Sequence, residues 1–427
     1  MKNAREAAAR GLIEVFDHEG YSNLVLGQRI KKAELPARER AFCAALFYGV
    51  IERCITLDWV LGRYSRQPLE KLTPAVREIL RLALYQLLYM PSVPDRAVVD
   101  EAVKLTRTLK VASAGGFVNG VLRSFLRDEK AIKLPRDPQK ALAVRYSVPE
   151  ALIALWQDAY GEENALSILE GCGGPPPLFA RVNTTRTTAE ALISRLAAEG
   201  VTAEKTDLPD ALRLIDTGDI TALPSFTEGL FHIQDLSSQC CAAALGAMPG
   251  DRVLDVCSAP GGKSFTIAEG MGGKGTLLAM DLSQSRLGLV AEGAARLGLA
   301  CIETRTNDAT QYHAALGQFD RILCDVVCSG YGVIRRKPEI RYKAPETVAD
   351  LPKTQYQILS ASARYLAGGG RLVYSTCTLN PAENEQVVER FLAENRAFAL
   401  VDKAVTCFPS PQGGDGFFYA VLERQSF

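Results

Sequence analysis

The sequence predicts an α/β protein: a doubly wound, mostly parallel sheet follows an all-helical region and a small α+β unit. Two observations lead to this prediction. From about residue 229 onward, short apolar strands alternate with amphipathic helices, which is typical of a parallel sheet with helices on both faces. Residues 1–140 instead contain only segments with helical spacing of apolar residues. At 427 residues, the chain is also too long for one ordinary core.

The first predicted domain spans residues 1–140 and is all-helical. Segment 74–89 shows the helical spacing clearly, and Pro74 suits the first turn of a helix. The domain carries 24 Lys and Arg residues against 16 Asp and Glu residues, a net charge of +8, and the rest of the chain is net −8. Such a basic region suggests a polyanionic partner, but a solvated basic surface explains the count equally well.

The second predicted domain spans residues 141–228 and the third spans residues 229–427. The second begins with a linker helix, and Gly171–Pro177, "GCGGPPP", then interrupts the chain. A strand, a helix and two strands follow within about sixty residues, which predicts a small α+β (RRM-like) unit. The third domain holds the predicted parallel sheet, which is Rossmann-like in its alternation of strands and helices.

Composition argues against several classes of protein. No apolar run is long enough to span a bilayer, and the N-terminus has no signal-peptide pattern, so a cytoplasmic protein without a membrane partner is expected. The eleven cysteines form no CxxC pair and the three histidines are scattered, so no metal site is expected. In a reducing compartment these cysteines should be free thiols.

A glycine-rich loop marks the predicted cofactor site. The segment Leu254–Ser264, "LDVCSAPGGKS", forms the first strand-to-helix turn of the predicted sheet, where Gly261 and Gly262 allow close backbone approach. The next strand ends at Asp281, nineteen residues after Gly262, where a carboxylate can bind ribose hydroxyls. The third strand ends at Asn307 and Asp308, a suitable place to reach an adenine edge.

These strand ends favour S-adenosylmethionine over other nucleotide cofactors. NAD would require GxGxxG, which is absent, and a Walker loop fails because position 257 is Cys instead of Gly. S-adenosylmethionine has an adenosine but no phosphates, so it needs the ribose acid and the close backbone without a phosphate cradle. A purely structural turn explains the loop less well, because three successive strand ends each supply a suitable group.

Two cysteines stand at the ends of predicted neighbouring strands, Cys328 soon after Asp325 and Cys377 in "YSTC". Carbon 5 of a pyrimidine is a poor nucleophile, and a thiolate that adds to carbon 6 activates it. Such chemistry also needs a group at the ring N3, and Asp325 lies at the right strand end. A carboxyl in that role would have to be protonated. The pair therefore predicts reactive thiols in preference to packing residues.

The motifs resemble those of a known family. "DVCSAPGGKS", "CDVVCSGYGVIRRKPEIR", "YSTCTLNPAENE" and "GDGFFYAVL" are similar to those of the bacterial 16S rRNA cytosine-carbon-5 methyltransferases called RsmB, Sun or Fmu. The helical N-terminal third resembles their NusB-like domain, and the resemblance covers nearly the whole chain. It implies S-adenosylmethionine as methyl donor and small-subunit rRNA as substrate, with cytosine 967 the family target. Separately, the enzyme is expected to be a monomer.

The resemblance also implies a role for each matching residue. Cys377 would be the nucleophile, Cys328 would assist release of the methylated base, and Lys263 and Asp325 would face the catalytic pocket. The implied methyl-donor residues are Cys257, Ser258, Ala259, Pro260, Gly261, Gly262, Lys263, Asp281, Asp308 and Asp325. The family usually has Pro before the first cysteine, where this chain has Val327, so the release step is in question more than bond formation.

A cationic run follows Cys328. Five cations in eleven residues predict phosphate contacts beside the active site, and they are Arg335, Arg336, Lys337, Arg341 and Lys343. A base must leave any stack to meet Cys377, so single-stranded or loop RNA is the expected substrate. Two alternatives stay open: cytosine-5 methylation of another RNA, such as tRNA or a different rRNA site, and a non-catalytic RNA-binding or assembly protein.

Overall fold

The computed structural model describes residues 3–18, 22–343 and 345–425. Contacts divide the chain into two compact units, the first formed by Met1–Asp158 with Ile334–Tyr342 and the second by Ala159–Val333 with Lys343–Phe427. Within the described ranges, no helix is long and apolar enough to cross a membrane.

The first unit is built from helices, as predicted. They are α1 (Ala4–His18), α2 (Ser22–Ala33), α3 (Ala37–Glu52), α4 (Cys54–Tyr64), α5 (Pro74–Tyr89), α6 (Asp95–Thr108), α7 (Gly115–Arg127), α8 (Pro138–Tyr146) and the first part of α9 (Glu150–Gly171). Gly161, at φ 82° and ψ 165°, interrupts α9. Helix α5 supplies much of the core, because Ile79, Leu80 and Leu84 are fully buried.

The second unit contains a small antiparallel sheet of order β2-β3-β1-β4. Its elements are β1 (Leu178–Val182), α10 (Ala189–Ala198), β2 (Thr202–Lys205), β3 (Ala211–Ile215), α11 (Pro224–Thr227) and β4 (Phe231–Ile233). The buried Asn183 follows β1, and its Nδ2 donates to the carbonyls of Gly229 at 2.9 Å and Leu297 at 2.8 Å. This side chain therefore ties the small sheet to the larger α/β part of the same unit.

The larger sheet confirms the predicted doubly wound fold. Its elements are α12 (Leu236–Ala244), β5 (Arg252–Asp255), α13 (Gly262–Gly270), β6 (Thr276–Asp281), α14 (Gln284–Leu297), β7 (Ile302–Thr306), β8 (Phe319–Asp325), α15 (Leu351–Ala363), β9 (Leu366–Thr376), α16 (Glu385–Glu394), β10 (Phe398–Leu400), β11 (Val405–Cys407) and β12 (Phe417–Arg424). The strand order is β10-β12-β9-β8-β5-β6-β7, and β11 pairs with β12.

The connections of this sheet determine where a ligand can bind. Strands β5 to β9 pair in parallel, and only β12 runs antiparallel to β9. Strand β5 has β6 on one side and β8 on the other, so the strand order reverses there. Ligands of such sheets bind at the carboxyl ends of the strands beside this switch point.

The small and large sheets belong to the same compact unit. The domain boundaries predicted at residues 140 and 228 stay a prediction.

Candidate active site

A half-buried ion pair lies at the carboxyl edge of the large sheet. Lys263, the second residue of α13, places its Nζ 2.7 Å from Oδ2 of Asp325, the last residue of β8. The ammonium also lies 4.8 Å from the ring centroid of Phe417. Burial would lower the pKa of Lys263, but the charge and hydrogen bond of Asp325 together with the charges of Cys241 and Cys377 outweigh this and raise it above its ordinary value. Lys263 is therefore a fixed positive charge in the pocket.

The contacts of Asp325 involve both of its side-chain oxygens. Oδ2 accepts from the ammonium of Lys263, and Oδ1 accepts from Ser375 Oγ at 2.8 Å. Both oxygens act as acceptors in this arrangement, so the hydrogen-bond donor nearest to them is the Lys263 ammonium. The expected protonated carboxyl stays a prediction.

The two predicted thiols are in contact. Cys328 lies three residues beyond β8 and Cys377 follows β9 directly. Their Sγ atoms are 3.2 Å apart, and both are free cysteines. The hydrogen bond with Cys377 and burial together raise the pKa of Cys328 well above its ordinary value. Cys328 therefore keeps its proton, and the ammonium of Lys263 stabilises negative charge on Cys377.

The main chain around the thiols is closely packed. Gly332 N donates to the carbonyl of Cys377 at 3.1 Å, and Gly416 N donates to the carbonyl of Gly332 at 2.9 Å. A Cβ on Gly332 would lie 2.1 Å from Gly416 O and 2.9 Å from Cys377 O. The loop that carries Cys328 thus contacts β9 and the start of β12 at a position that only glycine fits.

Gly332→Ala is expected to destabilise the protein by about 1–3 kcal/mol, because the added methyl group must displace backbone atoms. Gly288→Ala in α14 is the matched control, since its Cβ would meet nothing within 4 Å, and it should be neutral or stabilising by up to about 1 kcal/mol. Denaturant unfolding of the three proteins measures this. Equal stability of the two variants would contradict the packing described.

The loop between β5 and α13 forms a narrow backbone cradle. Gly261 adopts a left-handed conformation at φ 112°, and a Cβ there would lie 2.4 Å from the Phe265 ring. Ser258 is only 7% exposed, and its Oγ is buried without a hydrogen-bond partner. The loop therefore allows a ligand to approach its backbone closely, and it offers the Ser258 hydroxyl for a hydrogen bond.

The acids at the ends of β6 and β7 lie where the sequence predicts them. Asp281 is buried, and its Oδ1 accepts from Ser283 N at 2.9 Å. Asp308 is exposed, and its Oδ1 accepts from the N–H and hydroxyl of Thr310 at 2.9 and 2.7 Å. The structure thus brings the predicted methyl-donor residues to the carboxyl ends of the adjacent strands β5, β6, β7 and β8.

Comparison with known proteins assigns this architecture to a family. Family models match residues 2–127 (NusB family), 148–221 (Methyltr_RsmF/B-like, ferredoxin-like domain) and 242–423 (16S rRNA methyltransferase RsmB/F). The Bacillus subtilis protein named "Probable ribosomal RNA small subunit methyltransferase B" is 38% identical over 444 residues, which cover 99% of each chain. The chain belongs to the ribosomal RNA small subunit methyltransferase B family. This membership confirms the predicted resemblance.

Other relatives and solved structures agree with the family and the fold. The methyltransferase B of Proteus mirabilis is 34% identical, with 99% of both chains covered. The crystal structure of PH0851 matches 98% of this chain and 99% of its own, with a TM-score of 0.82 at 23% identity, which shows the fold. A methyltransferase homologue from Pyrococcus horikoshii matches 67% of this chain and 99% of its own, with a TM-score of 0.60 at 27% identity.

Family membership makes the protein an S-adenosylmethionine-dependent methyltransferase and confirms the predicted methyl donor. The residues at the sheet edge fit that ligand. Asp281 offers a carboxylate to ribose hydroxyls, the Gly261 cradle admits a ligand to the backbone, and Ser258 has a hydroxyl without a partner.

Asp255, at the end of β5, is a buried acid that the sequence prediction missed. Its Oδ2 accepts from Ser264 Oγ at 2.6 Å, and the residue is 1% exposed. Burial raises the pKa of Asp255 to about 7, against the opposing effect of that hydrogen bond. The sequence feature that could have indicated Asp255 is its position as an acid at a strand end, directly before the glycine-rich loop.

This shift predicts a pH dependence of stability. The unfolded carboxyl has a pKa of about 4, so between about pH 4 and pH 7 the folded protein binds the extra proton. The free energy of unfolding should therefore fall as the pH rises through this window and level off above it, by up to about 1.4 kcal/mol per pH unit. Asp255→Asn should remove this contribution in denaturant titrations at pH 5 and 7.5. Equal pH slopes for the two proteins would contradict the assignment.

The structure corrects part of the predicted RNA-contacting run. Arg335 and Arg341 are only 7% and 3% exposed. The guanidinium of Arg341 donates to the carbonyls of Ser147 at 2.8 Å and Glu52 at 3.1 Å within the first unit. A buried arginine that satisfies main-chain carbonyls is not available to phosphate, so Arg341 leaves the predicted set. For Arg335, burial alone argues against phosphate contact. The half-buried or exposed members of the run are Arg336, Lys337 and Lys343.

Proposed function

We propose that the protein methylates carbon 5 of a cytosine in 16S rRNA through a covalent adduct between Cys377 and carbon 6. The observation that supports this most strongly is the contact between the two thiols, 3.2 Å apart, beside the Lys263–Asp325 ion pair. Methyl transfer to nitrogen or to a ribose oxygen uses no such pair of thiols. Cytosine 967, the target implied by the resemblance, is the proposed site.

Bond formation begins with the thiolate of Cys377. The sulfur adds to carbon 6, and negative charge then develops on the base. The ammonium of Lys263 donates to N3 and stabilises that charge, while the Asp325 carboxylate accepts from the neighbouring amino group of the base. An ion pair of this kind matches the acceptor and donor on one edge of cytosine.

S-adenosylmethionine supplies an electrophilic methyl group to the activated carbon 5. Residues 257–263 and Asp281 would hold this ligand, because they lie at the carboxyl edge of the sheet. Release then removes the proton from carbon 5 and breaks the bond between carbon 6 and Cys377. Cys328 lies in contact with Cys377 and is protonated at rest, so its own proton must first pass to water. The thiolate that remains is a strong base because its pKa is raised. It accepts the carbon-5 proton while the electron pair of that C–H bond forms the 5,6 double bond and Cys377 leaves carbon 6 as a thiolate. We therefore assign the proton-accepting part to Cys328.

Labelled methyl transfer tests the proposed function. The protein would be incubated with S-adenosylmethionine labelled in the methyl group and with small-subunit rRNA, and the RNA would then be digested to nucleosides. Label should appear in 5-methylcytidine and map to cytosine 967. Label in tRNA or at another rRNA cytosine would support the first alternative. No transfer to any RNA would support a non-catalytic RNA-binding protein.

RNA contact by the cationic run has its own test. Lys337 is exposed, so Lys337→Gln should weaken RNA binding and reduce the slope of log K against log salt by about 0.7–0.9. Lys274→Gln is the control, because Lys274 is exposed at the amino-terminal edge of the large sheet, and Cys328 and Cys377 lie at the carboxyl edge. Salt titrations of RNA affinity measure the effect, and identical slopes for both variants would remove Lys337 from the contact set.

The remaining predictions concern partners and location. The monomeric state and the cytoplasmic location both stay predictions. A ribosomal RNA substrate favours the cytoplasmic location. Among the residues described, no group of three or more His, Cys, Asp and Glu side chains is placed to hold a metal ion.

A further inference from the structure

Glu383 is a fully buried acid close to the two thiols. Its Oε2 accepts from Ser329 N at 2.8 Å and from Gln355 Nε2 at 2.9 Å. Its Oε1 accepts from Ser329 Oγ at 2.5 Å and from Asn380 Nδ2 at 2.8 Å. These four donors carry no charge, and each oxygen of the carboxylate accepts from two of them. A carboxylate away from water needs such a complete set of donors.

Three of these donors come from the two thiol-bearing loops: Ser329 supplies two and Asn380 supplies one. Glu383 itself lies in the loop that follows Cys377, whereas Ser329 is the residue directly after Cys328. The Ser329 hydroxyl is also 2.6 Å from Thr378 Oγ1, and Thr378 is the residue directly after Cys377. The network therefore joins the residue after one thiol to the residue after the other.

Gln355 extends the network to the other side of Cys328. Its Nε2 donates to the carbonyl of Val327 at 2.9 Å as well as to Glu383. Val327 occupies the position where the family usually has Pro, whose ring would restrict the backbone. Here Glu383 and Gln355 together hold the residues on both sides of Cys328.

Cys377 depends less on this network. It follows β9, whose last residue, Thr376, pairs with Phe418 of β12 in the sheet. Thr376 Oγ1 also donates to Asn384 Oδ1 at 2.6 Å. The sheet fixes the backbone before Cys377, whereas the backbone around Cys328 belongs to a loop without regular pairing.

We infer that Glu383 is a positioning residue that holds Cys328 against Cys377, with Gln355 as its second contact. Separation of the two loops would take both Ser329 donors away from the Glu383 carboxylate, one from each oxygen, which is costly for a buried charge, so the network favours the arrangement in which the loops are in contact. Glu383 is fully buried, so its carboxylate acts through the loops that it binds. The catalytic consequence rests on the proposed function, but the positioning itself does not.

Disulfide trapping tests the positioning without RNA. Diamide, an azo oxidant, takes two electrons and two protons from the thiols of Cys328 and Cys377, so that an S–S bond forms and diamide becomes a hydrazine. Mass spectrometry would follow the joined peptides with time. In Glu383→Gln an amide NH₂ group replaces one of the two acceptor oxygens and faces hydrogen-bond donors. The loops are then held less firmly, so the disulfide should form at about a tenth of the wild-type rate. Glu385→Gln is the control, because Glu385 is half-buried nearby and bonds Thr406 instead.

Covalent capture of RNA gives the second readout. Glu383→Gln should form product about tenfold more slowly while the fraction of protein in a covalent RNA adduct rises, because release needs Cys328 and attack needs Cys377. A merely structural role would lower adduct and product in proportion. Unchanged disulfide formation, or a proportional loss, would overturn the inference. A wild type that forms the disulfide but neither adduct nor product would overturn only the proposed function.

A second variant covers the case in which Glu383→Gln does not fold. Gln355→Met keeps the volume of the side chain and removes the donor to Val327 and Glu383. The Gln355 Oε1 atom has no hydrogen-bond partner, so its loss leaves no further group unsatisfied. The same slower disulfide formation and rise in adduct are expected, and wild-type values for both would contradict the inference.

Discussion

Cys377→Ala is expected to abolish both methyl transfer and covalent capture of RNA. Without the sulfur, no adduct at carbon 6 can form, and carbon 5 stays too weak a nucleophile to accept a methyl group. The loss of product should be roughly 10⁴-fold or more, as for other nucleophiles removed from active sites. Labelled S-adenosylmethionine, small-subunit rRNA and a denaturing gel measure both quantities together.

The matched control for this variant is Cys301→Ala. Cys301 is a half-buried free thiol just before β7, at the amino-terminal edge of the sheet and away from the proposed site. Its replacement should leave methyl transfer unchanged. Residual methylation by Cys377→Ala at a tenth of the wild-type rate would show that the nucleophile is another residue.

Cys328→Ala is expected to act in the opposite way, by trapping the adduct. Cys377 can still attack the base, but proton removal from carbon 5 loses its acceptor, so the covalent protein–RNA band should accumulate. Turnover should fall about 10²–10⁴-fold, which is the usual contribution of a positioned general base. A variant that turns over normally and shows no band would contradict the assignment of Cys328 to release.

Much of the site could be predicted because parallel strands end at one edge of a sheet. The alternation of strands and helices predicted β5 to β9, and the motifs around Cys328 and Cys377 predicted that two strand ends each carry a thiol. Since β8 and β9 are neighbours, the two thiols meet. The position of Lys263 against Asp325 follows from the same geometry, because α13 starts at that edge.

Other features depend on tertiary contacts that no local pattern reveals. The sequence shows a run of cations at residues 335–343 but not which of them are buried. Arg341 is buried because it binds the carbonyls of Ser147 and Glu52, which are 194 and 289 residues away in the chain. The contact between Lys263 and Asp325 joins residues 62 positions apart in the chain. Glu383 stood in the quoted motif, yet its role depends on Ser329 and Gln355, which come from other segments.

The exchange of Pro for Val at position 327 illustrates the same point. The sequence suggests a looser Cys328 and a weaker release step. The structure provides a compensating contact, since Gln355 Nε2 holds the Val327 carbonyl and also binds Glu383. We therefore expect the release step to survive the substitution.

The most direct test of the covalent mechanism is to identify the atoms joined in the trapped adduct. Cys328→Ala would be incubated with small-subunit rRNA and S-adenosylmethionine carrying a trideuterated methyl group, then digested with nuclease and protease. Mass spectrometry of the linked peptide should show a methylated cytidine nucleotide on Cys377, with the deuterated methyl group on the base. A nucleotide attached to any other residue, or a methyl group on the ribose, would contradict the mechanism.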